Sequence, residues 1–391
     1  MKEIPRIAII GAGPAGLTLA RILYVGGVEA TVFERDPDAQ FRPQGGTLDL
    51  HPETGQFALR RAGLEAEFTR MARYDDQGSR LYDGDGTLLL ADDEAADGER
   101  PEVDRTALRD ALLASLPADT IRWGKALREV RPREDGSYDL IFGDETAGPF
   151  DLVVGADGAW SKVRPLVSRY TPQYSGLTFV EFGIDDADRL HPQLSQLVGR
   201  GKIGVESGAR SMIVQRNANA HLRGYAIFRV PSGWAEQTFD FGRPAVARER
   251  LASEFEGWAP QFLDLIRASN DNLCARQICA LPVGHHWQNR IGVTLIGDAA
   301  HVMSPFGGEG VNAAMRDAAE LADYLLQLHD WREAVRRYEE EMFVRVAGPA
   351  ADAAEAAATE LSHLGTELTL MYLKSHMTDR EQTAVVVSRH R

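Results

Sequence analysis

Arg6-Ile-Ala-Ile-Ile-Gly-Ala-Gly-Pro-Ala-Gly16 is the stretch whose reading decides the fold. Four apolar residues, 7–10, run into Gly11-x-Gly13-x-x-Gly16, and an apolar, helix-like segment follows from Leu17. The order is buried strand, tight turn, helix. Gly11 lets the chain turn, Gly13 has no Cβ to block a phosphate, and Gly16 lets helix and strand pack closely. The helix start adds free N–H groups for an anion. A second apolar strand then ends on Glu34, 18 residues after Gly16, where a carboxylate can accept both hydroxyls of an adenosine ribose. The stretch predicts a bound dinucleotide. The same glycine spacing recurs at Gly199, Gly201 and Gly204, but with no apolar strand before it and no amphipathic helix after it, so that copy reads as a turn.

Composition bounds what such a nucleotide could serve. A chain of 391 residues, 44% hydrophobic, can bury a large core and divide into two domains. Lys+Arg 43 against Asp+Glu 58 leaves a net charge of -15, which repels nucleic acid and anionic membranes, so neither is expected as a partner. Cys274 and Cys279 lie five apart in an apparent strand and point to opposite faces, which argues against a disulfide or a shared metal. The first strand begins by about residue 6 without a signal-peptide pattern, and no later stretch approaches 18 uninterrupted apolar residues. The expectation is a cytoplasmic protein.

Outward from Glu34, a polar loop through Arg42 leads to Gly45-Gly-Thr-Leu-Asp-Leu-His51. Alternation turns Leu48 and Leu50 to the core and Thr47, Asp49 and His51 to the other side, a row that suits either a cofactor wall or a solvent-facing edge strand. A helix is predicted over 52–62, stopping at Gly63. Residues 75–102 form an excursion, with a hairpin signal at Tyr82-Asp-Gly-Asp-Gly86 and an acidic surface loop over 91–99. Asp104 is a predicted N-cap for a helix over 105–116, on which Arg105 and Arg109 share a side; they are a surface pair, or Arg105 reaches the cofactor. Strands near 121–123, 127–130 and 138–142 read as a small antiparallel layer. A buried strand then ends at Asp157-Gly158, and residues 172 to about 272 turn to strands rich in Gly, Asn and Pro.

Val293-Thr-Leu-Ile-Gly-Asp298 is another apolar strand ending on an acid, and Pro305-Phe-Gly-Gly-Glu-Gly310 opens a helix over 311–328. The positive end of that helix can hold partial negative charge. Helices over 331–342 and about 350–374 close the chain. His301 reads as a packed, hydrogen-bonded residue, and His285-His286 has no companions at metal-ligand spacing.

Three elements stand in fixed order: Gly11-x-Gly13-x-x-Gly16 with Glu34, then Asp157-Gly158-x-x-Ser161-x-Val163-Arg164, then Gly297-Asp298-Ala-Ala-His-x-x-x-Pro305. This resembles the flavoprotein monooxygenases of the aromatic-hydroxylase type over nearly the whole chain. More narrowly, residues 45–51, Pro101-Glu-Val-Asp-Arg105 and Ser161-Lys-Val-Arg164 look like the TetX-type monooxygenases that inactivate tetracyclines. The resemblance implies an α/β fold: a Rossmann-like FAD-binding domain over 1–74, 103–171 and 275–330, a β-rich substrate domain over 172–274 joined by the excursion 75–102, and a C-terminal helix within 331–391. It implies FAD as cofactor, NADPH as electron donor, O2 as co-substrate, a monomer, and oxygen transfer from the flavin C4a position to an electron-rich carbon of a tetracycline-like or other phenolic or enolic polycycle.

Carried over residue by residue, Gly11, Gly13 and Gly16 would take the pyrophosphate, Glu34 the adenosine ribose, and Arg35 the adenine. Asp49 and Arg105 would meet the ribityl and ring portion, Asp298 the ribityl hydroxyls, and the entrance at Pro305, Gly308 and Gly310 the pyrimidine edge of the ring. Arg42 matches the family's NADPH arginine. The family's glutamine, arginine and histidine on the substrate fall near Phe182, Arg210 and Arg223, and only the arginine is kept. No catalytic side chain and no metal are implied, because the flavin carries the chemistry. Two rival readings remain, a hydroxylase of another aromatic or polyketide substrate and a non-catalytic nucleotide-binding scaffold.

Overall fold

The computed structural model describes residues 4–41, 45–92, 99–361 and 371. Two compact units emerge: Met1–Ala72, Glu99–Gln173 and Cys279–Glu355 form the first, and Arg73–Gly98, Tyr174–Ile278 and Ala356–Arg391 the second. In chain order, the elements are β1 (Ile7–Ile10), α1 (Pro14–Val25), β2 (Ala30–Phe33), β3 (Thr47–Asp49), α2 (Gly55–Arg61), α3 (Glu65–Met71), β4 (Gly78–Asp83), β5 (Leu88–Asp92), β6 (Glu102–Asp104), α4 (Arg105–Ala114), β7 (Ile121–Arg122), β8 (Glu129–Pro132), β9 (Tyr138–Phe142), β10 (Glu145–Phe150) and β11 (Leu152–Gly155). Then come β12 (Gln173–Ile184), α5 (Ala187–Leu190), α6 (Pro192–Val198), β13 (Gly201–Ser207), β14 (Arg210–Arg216), β15 (Leu222–Arg229), α7 (Trp234–Thr238), α8 (Pro244–Glu254), α9 (Pro260–Arg267), β16 (Cys274–Ala280), β17 (Val293–Leu295), α10 (Asp298–His301), α11 (Glu309–Gln327) and α12 (Trp331–Thr359).

The first unit is built on a parallel sheet in the order β17-β11-β1-β2-β7. Strands β1 and β11 are buried at every residue, which is why they read as unbroken apolar runs rather than alternating ones. Each of their buried branched side chains contributes about 1.5–3 kcal/mol of burial. The register aligns Ile10 with Phe33 and with Gly155, and Gly155 with Leu295, so four strands finish at one level. Helix α1 runs alongside α11 in the same direction. The start of α1 and the second turn of α11 meet at Gly297, whose absent Cβ would lie 2.9 Å from Ala314 and 3.5 Å from Ala15, and Gly26, just past the end of α1, abuts Leu326.

Two expectations are corrected here. The strand near 121–123 is not part of the antiparallel layer: β7 adds in parallel to β2 at the sheet edge, and the layer is β10-β9-β8. A chain returning from the crossover helix α4 docks in parallel, and Glu34 donates its N–H to the Arg122 carbonyl at 3.0 Å. The closing helices are one, because α12 continues through Pro349. Its first half buries Trp331, Val335, Tyr338 and Met342 in the first unit's core. Residues 93–98 of the acidic loop lie outside the described residues.

The second unit carries a seven-stranded sheet ordered β16-β12-β15-β14-β13-β4-β5, so the excursion supplies an edge hairpin. Period-two alternation divides its faces. Val180, Phe182, Met212, Val214 and Phe228 join Leu251, Phe255 and Phe262 in one core, while Phe179, Glu181, Arg223 and Tyr225 take the other face. The second glycine motif belongs to this sheet. A Cβ on Gly201, at φ +130°, would stand 2.0 Å from the Gly78 carbonyl oxygen, so glycine there serves close strand approach. Among the described residues no helix is long and apolar enough to cross a membrane.

Candidate functional site

The conspicuous residues of the first unit gather where its parallel strands end, which is where open α/β sheets take ligands. Past β1, a Cβ on Gly11 (φ +109°) would sit 2.3 Å from the Ala156 carbonyl oxygen, and one on Gly16 would sit 2.1 Å from that of Gly11. Turn and helix are therefore clamped together. Gly13, the N-cap of α1, is different: nothing lies within 4 Å of its Cβ direction, so the helix start is open. Past β2, the buried Glu34 carboxylate accepts the Ala12 N–H at 2.7 Å and the Asp36 N–H at 3.0 Å. It braces the glycine loop and keeps lone pairs for further donors. Arg35 is exposed beside it. Arg109 supports the same loop, donating to the carbonyls of Ala12 (3.3 Å) and Ala39 (2.7 Å).

Past β11, Asp157 accepts the Lys162 N–H at 2.6 Å through one oxygen, while its other oxygen is buried and has no partner. Burial pushes this carboxyl's pKa up. It lies beside the glycine loop, 3.1 Å from the Gly11 Cβ direction to its Cα. Past β17, the Gly297-Asp298 turn presents Asp298 exposed at the start of α10. Arg164 secures that turn from behind. Its guanidinium, almost fully buried, donates to the carbonyls of Asp298 (3.0 Å), Ala299 (2.7 Å) and Ala159 (2.8 Å). Ser161 Oγ in turn accepts the Val163 and Arg164 N–H groups. The second sequence motif thus holds the third in place, a role the spacing did not disclose.

The other helix entrance has the same character as the first. Pro305 accepts the Gly308 N–H at 3.3 Å in a turn through left-handed Gly307 and Gly308, and α11 begins at Glu309. The Cβ direction of Gly310 is open. The Asp49 row, left undecided between wall and edge, borders this entrance: Asp49 Oδ1 is 2.9 Å from the Gly308 Cβ direction. Asn312 ties the two together, donating to the Asp49 carbonyl at 2.8 Å and accepting the His51 N–H at 2.9 Å. Thr47 donates to Glu102 on β6 at 2.7 Å. Arg105 is exposed at the start of α4, its N–H on the Gly46 carbonyl (3.1 Å) and its Cδ 3.7 Å from the Gly45 Cβ direction. Arg42 lies outside the described residues.

Two open helix N-termini carry about half a positive charge each. An unsatisfied buried carboxylate oxygen, the Glu34 brace and the exposed Asp298 complete a set that fits a long, polyhydroxylated, anionic dinucleotide. No nucleophile with an adjacent base stands among them, and no cluster of metal-ligating residues occurs among the described residues.

The three residues expected on substrate are not brought together. Phe182 is buried on the helix-packed face, its ring filling the space over Gly224 at 2.0 Å from that residue's Cβ direction. Arg210 donates to the Glu254 and Glu256 carbonyls at the end of α8. Arg223 alone lies on the opposite face, 3.2 Å from Glu181, which also pairs with Arg276. The grouping of Phe182, Arg210 and Arg223 on one surface is therefore corrected: alternation sends 182 and 223 to opposite sides.

Comparison with known proteins agrees with the site. The family described as FAD binding domain matches residues 5–198 and 282–343. Monooxygenase asqM of Emericella nidulans is 32% identical over 375 residues, covering 83% of this chain and 84% of that protein. The 3-amino-4-hydroxybenzoate 2-monooxygenase PtnB3 of Streptomyces platensis is 32% identical over 359 residues, covering 88% and 85%. The solved structure of tetracycline destructase Tet(51) superposes with a TM-score of 0.72 at 21% identity, covering 96% of each chain, a likeness of fold. With its glycine loop, buried acid and paired helix entrances in place, the chain belongs to the FAD binding domain family and is a flavin-dependent monooxygenase.

Proposed function

We propose that the protein consumes NADPH and O2 to hydroxylate an electron-rich carbon of a phenol or enol. The observation that carries this reading is the pairing of two glycine-opened helix starts, at Gly13 and at Gly308 and Gly310, around Asp298. Bound there, FAD would supply the redox chemistry, with hydride coming from NADPH, one atom of dioxygen going to the substrate and the other leaving as water. The chain's residues bind and orient it. Gly11, Gly13 and Gly16 admit the pyrophosphate, Glu34 takes the ribose, Arg35 lies by the adenine, and Asp49, Arg105 and Asp298 hold the ribityl and ring end. The α11 entrance from Pro305 favours negative charge on the reduced ring, an effect of about 3 kcal/mol when water is excluded. Arg42 receives NADPH. In the second unit, Arg223 with Phe179 and Tyr225 offers a polar, aromatic face to a substrate.

The phenol reading draws on the hydroxybenzoate named for PtnB3. The tetracycline reading draws on the TetX-like motifs and on the fold shared with Tet(51). We take the protein to act as a cytoplasmic monomer. The test is to purify it, look for bound yellow FAD, and follow NADPH loss and 18O incorporation from 18O2 with hydroxybenzoates, larger phenols and tetracycline. Substrate-stimulated NADPH loss with label in an organic product is expected. Colourless protein that takes up no FAD would restore the scaffold reading. Hydrogen peroxide as the sole product across the panel would overturn the proposed substrate class.

A further inference from the structure

We infer that Asp317 and His301 form a positioning pair that fixes the Gly297-Asp298 turn for the flavin; this rests on the reading that Asp298 meets the ribityl chain. Asp317 is fully buried on α11, and one of its oxygens accepts the Gly297 N–H at 2.7 Å and faces His301 Nε2 at 2.6 Å. Its other oxygen accepts from Arg345 at 2.8 Å, and Arg345 also reaches Glu320 at 2.7 Å. A buried carboxylate survives only when neutralised and hydrogen-bonded, and here its partners come from α10 and α12. Burial pushes the Asp317 carboxyl's pKa up, but the bonds from His301 and Gly297 and the Arg345 guanidinium hold it below the ordinary carboxylate range.

His301 Nδ1 is buried with no partner, so the ring proton belongs on Nε2, aimed at Asp317. The turn is then gripped on two sides. Arg164 holds the carbonyls of Asp298 and Ala299, and Asp317 holds the N–H of Gly297, while His301 orients the carboxylate. Since Asp298 follows Gly297 directly, tilting that peptide re-aims the Asp298 side chain. None of these three residues need touch the flavin itself.

Asp317→Asn tests the pair at constant volume. In one orientation its NH2 opposes the Gly297 N–H, and in the other it opposes Arg345, so a donor meets a donor either way. Glu339→Gln is the comparator: Glu339 is another buried carboxylate of this unit, bonded to Trp287, Asn289 and Thr294 and not to the turn. The readouts are FAD affinity by flavin-fluorescence titration, the visible flavin spectrum, and Tm of the FAD-free proteins. Asp317→Asn and His301→Phe should each weaken FAD at least tenfold and alter the visible band. The double variant should be no worse than the poorer single one, as for residues acting as a unit. Glu339→Gln should lower Tm and leave FAD affinity within twofold of wild type. Unchanged affinity in folded Asp317→Asn, or equal affinity losses in Asp317→Asn and Glu339→Gln at matched Tm, would overturn the pair. Wild type that binds no FAD would instead overturn the functional reading itself.

Discussion

Glu34 shows how one side chain can serve the fold and a ligand together. Both oxygens already brace backbone N–H groups of Ala12 and Asp36. Glu34→Gln must turn an NH2 toward one of those donors, leaving a buried N–H unsatisfied at about 1–3 kcal/mol. The variant should melt lower even without FAD, as differential scanning fluorimetry of the FAD-free protein would show; an unchanged Tm would remove the bracing role. Asp298 is the contrasting case, exposed and free of such duties. Asp298→Ala should leave the FAD-free Tm unchanged and weaken FAD roughly 10–100-fold, the loss expected from hydrogen bonds of about 1.5–3 kcal/mol to a charged group. Full retention of flavin through gel filtration would refute its contact.

Residues that announce themselves through a backbone constraint were legible in the sequence: Gly11 and Gly16 have no room for a Cβ, and the strand-end acids follow from strand length. The roles of Arg109, Arg164, Asn312 and Asp317 were not. Each works by bonding backbone groups far away in sequence, and no local pattern encodes that. Phe182 lies on the core face, and in a strand a shift of one residue is enough to exchange core for surface. Phe182→Ala should accordingly lower stability by about 3–5 kcal/mol through a core cavity. Urea denaturation checks this, and a loss below 1 kcal/mol would put the side chain outside the core.

Among elements, long periodic segments read well and short ones did not. Strand β7 has two residues, too few to show whether it runs parallel or antiparallel, and only its pairing with β2 decides. Helix α12 misled because Gly348-Pro349 looks like a break, yet packing of Trp331 through Val346 carries the helix on. Its end introduces a pH dependence. Arg229 caps the last turn, donating to the carbonyls of Ala357 (2.7 Å) and Glu360 (2.6 Å). The Glu360 side chain is pushed up to about 7, by burial first and then by Glu206, against the opposing pull of Ser211 and Arg229. A carboxyl whose folded pKa is raised keeps its proton in the folded state after the unfolded chain has lost it. Stability from this group is therefore full below about pH 4.5 and falls as pH rises toward 7. Glu360→Gln should flatten the decline of Tm between pH 5 and 8, measured by fluorimetry across that range. A decline as steep as wild type would assign the effect to other groups.

At the scale of the molecule, the chain visits its two units in alternation, and the described residues proposed to hold FAD all fall in the first. That division has a thermodynamic consequence. A ligand that binds only the folded form adds about 2.7 kcal/mol at a hundred times its dissociation constant. The gain goes to openings that destroy the site and not to those that leave it intact. Added FAD should therefore slow amide exchange in β1, α1, β17 and α11, whose ends build the two helix entrances. The central strands β14 and β15 should be slowed far less, because local opening of that sheet leaves every named flavin residue in place. Hydrogen exchange with mass-spectrometric readout, with and without FAD, distinguishes the cases segment by segment. Protection confined to β14 and β15 would place the flavin away from the glycine loop and remove the basis of the assignments from Gly11 to Gly310. Protection at α1 without α11 would be equally telling. It would mean a nucleotide bound by its adenosine half alone, as in the scaffold reading, with the entrance at Gly308 left free and no ring held there to carry oxygen.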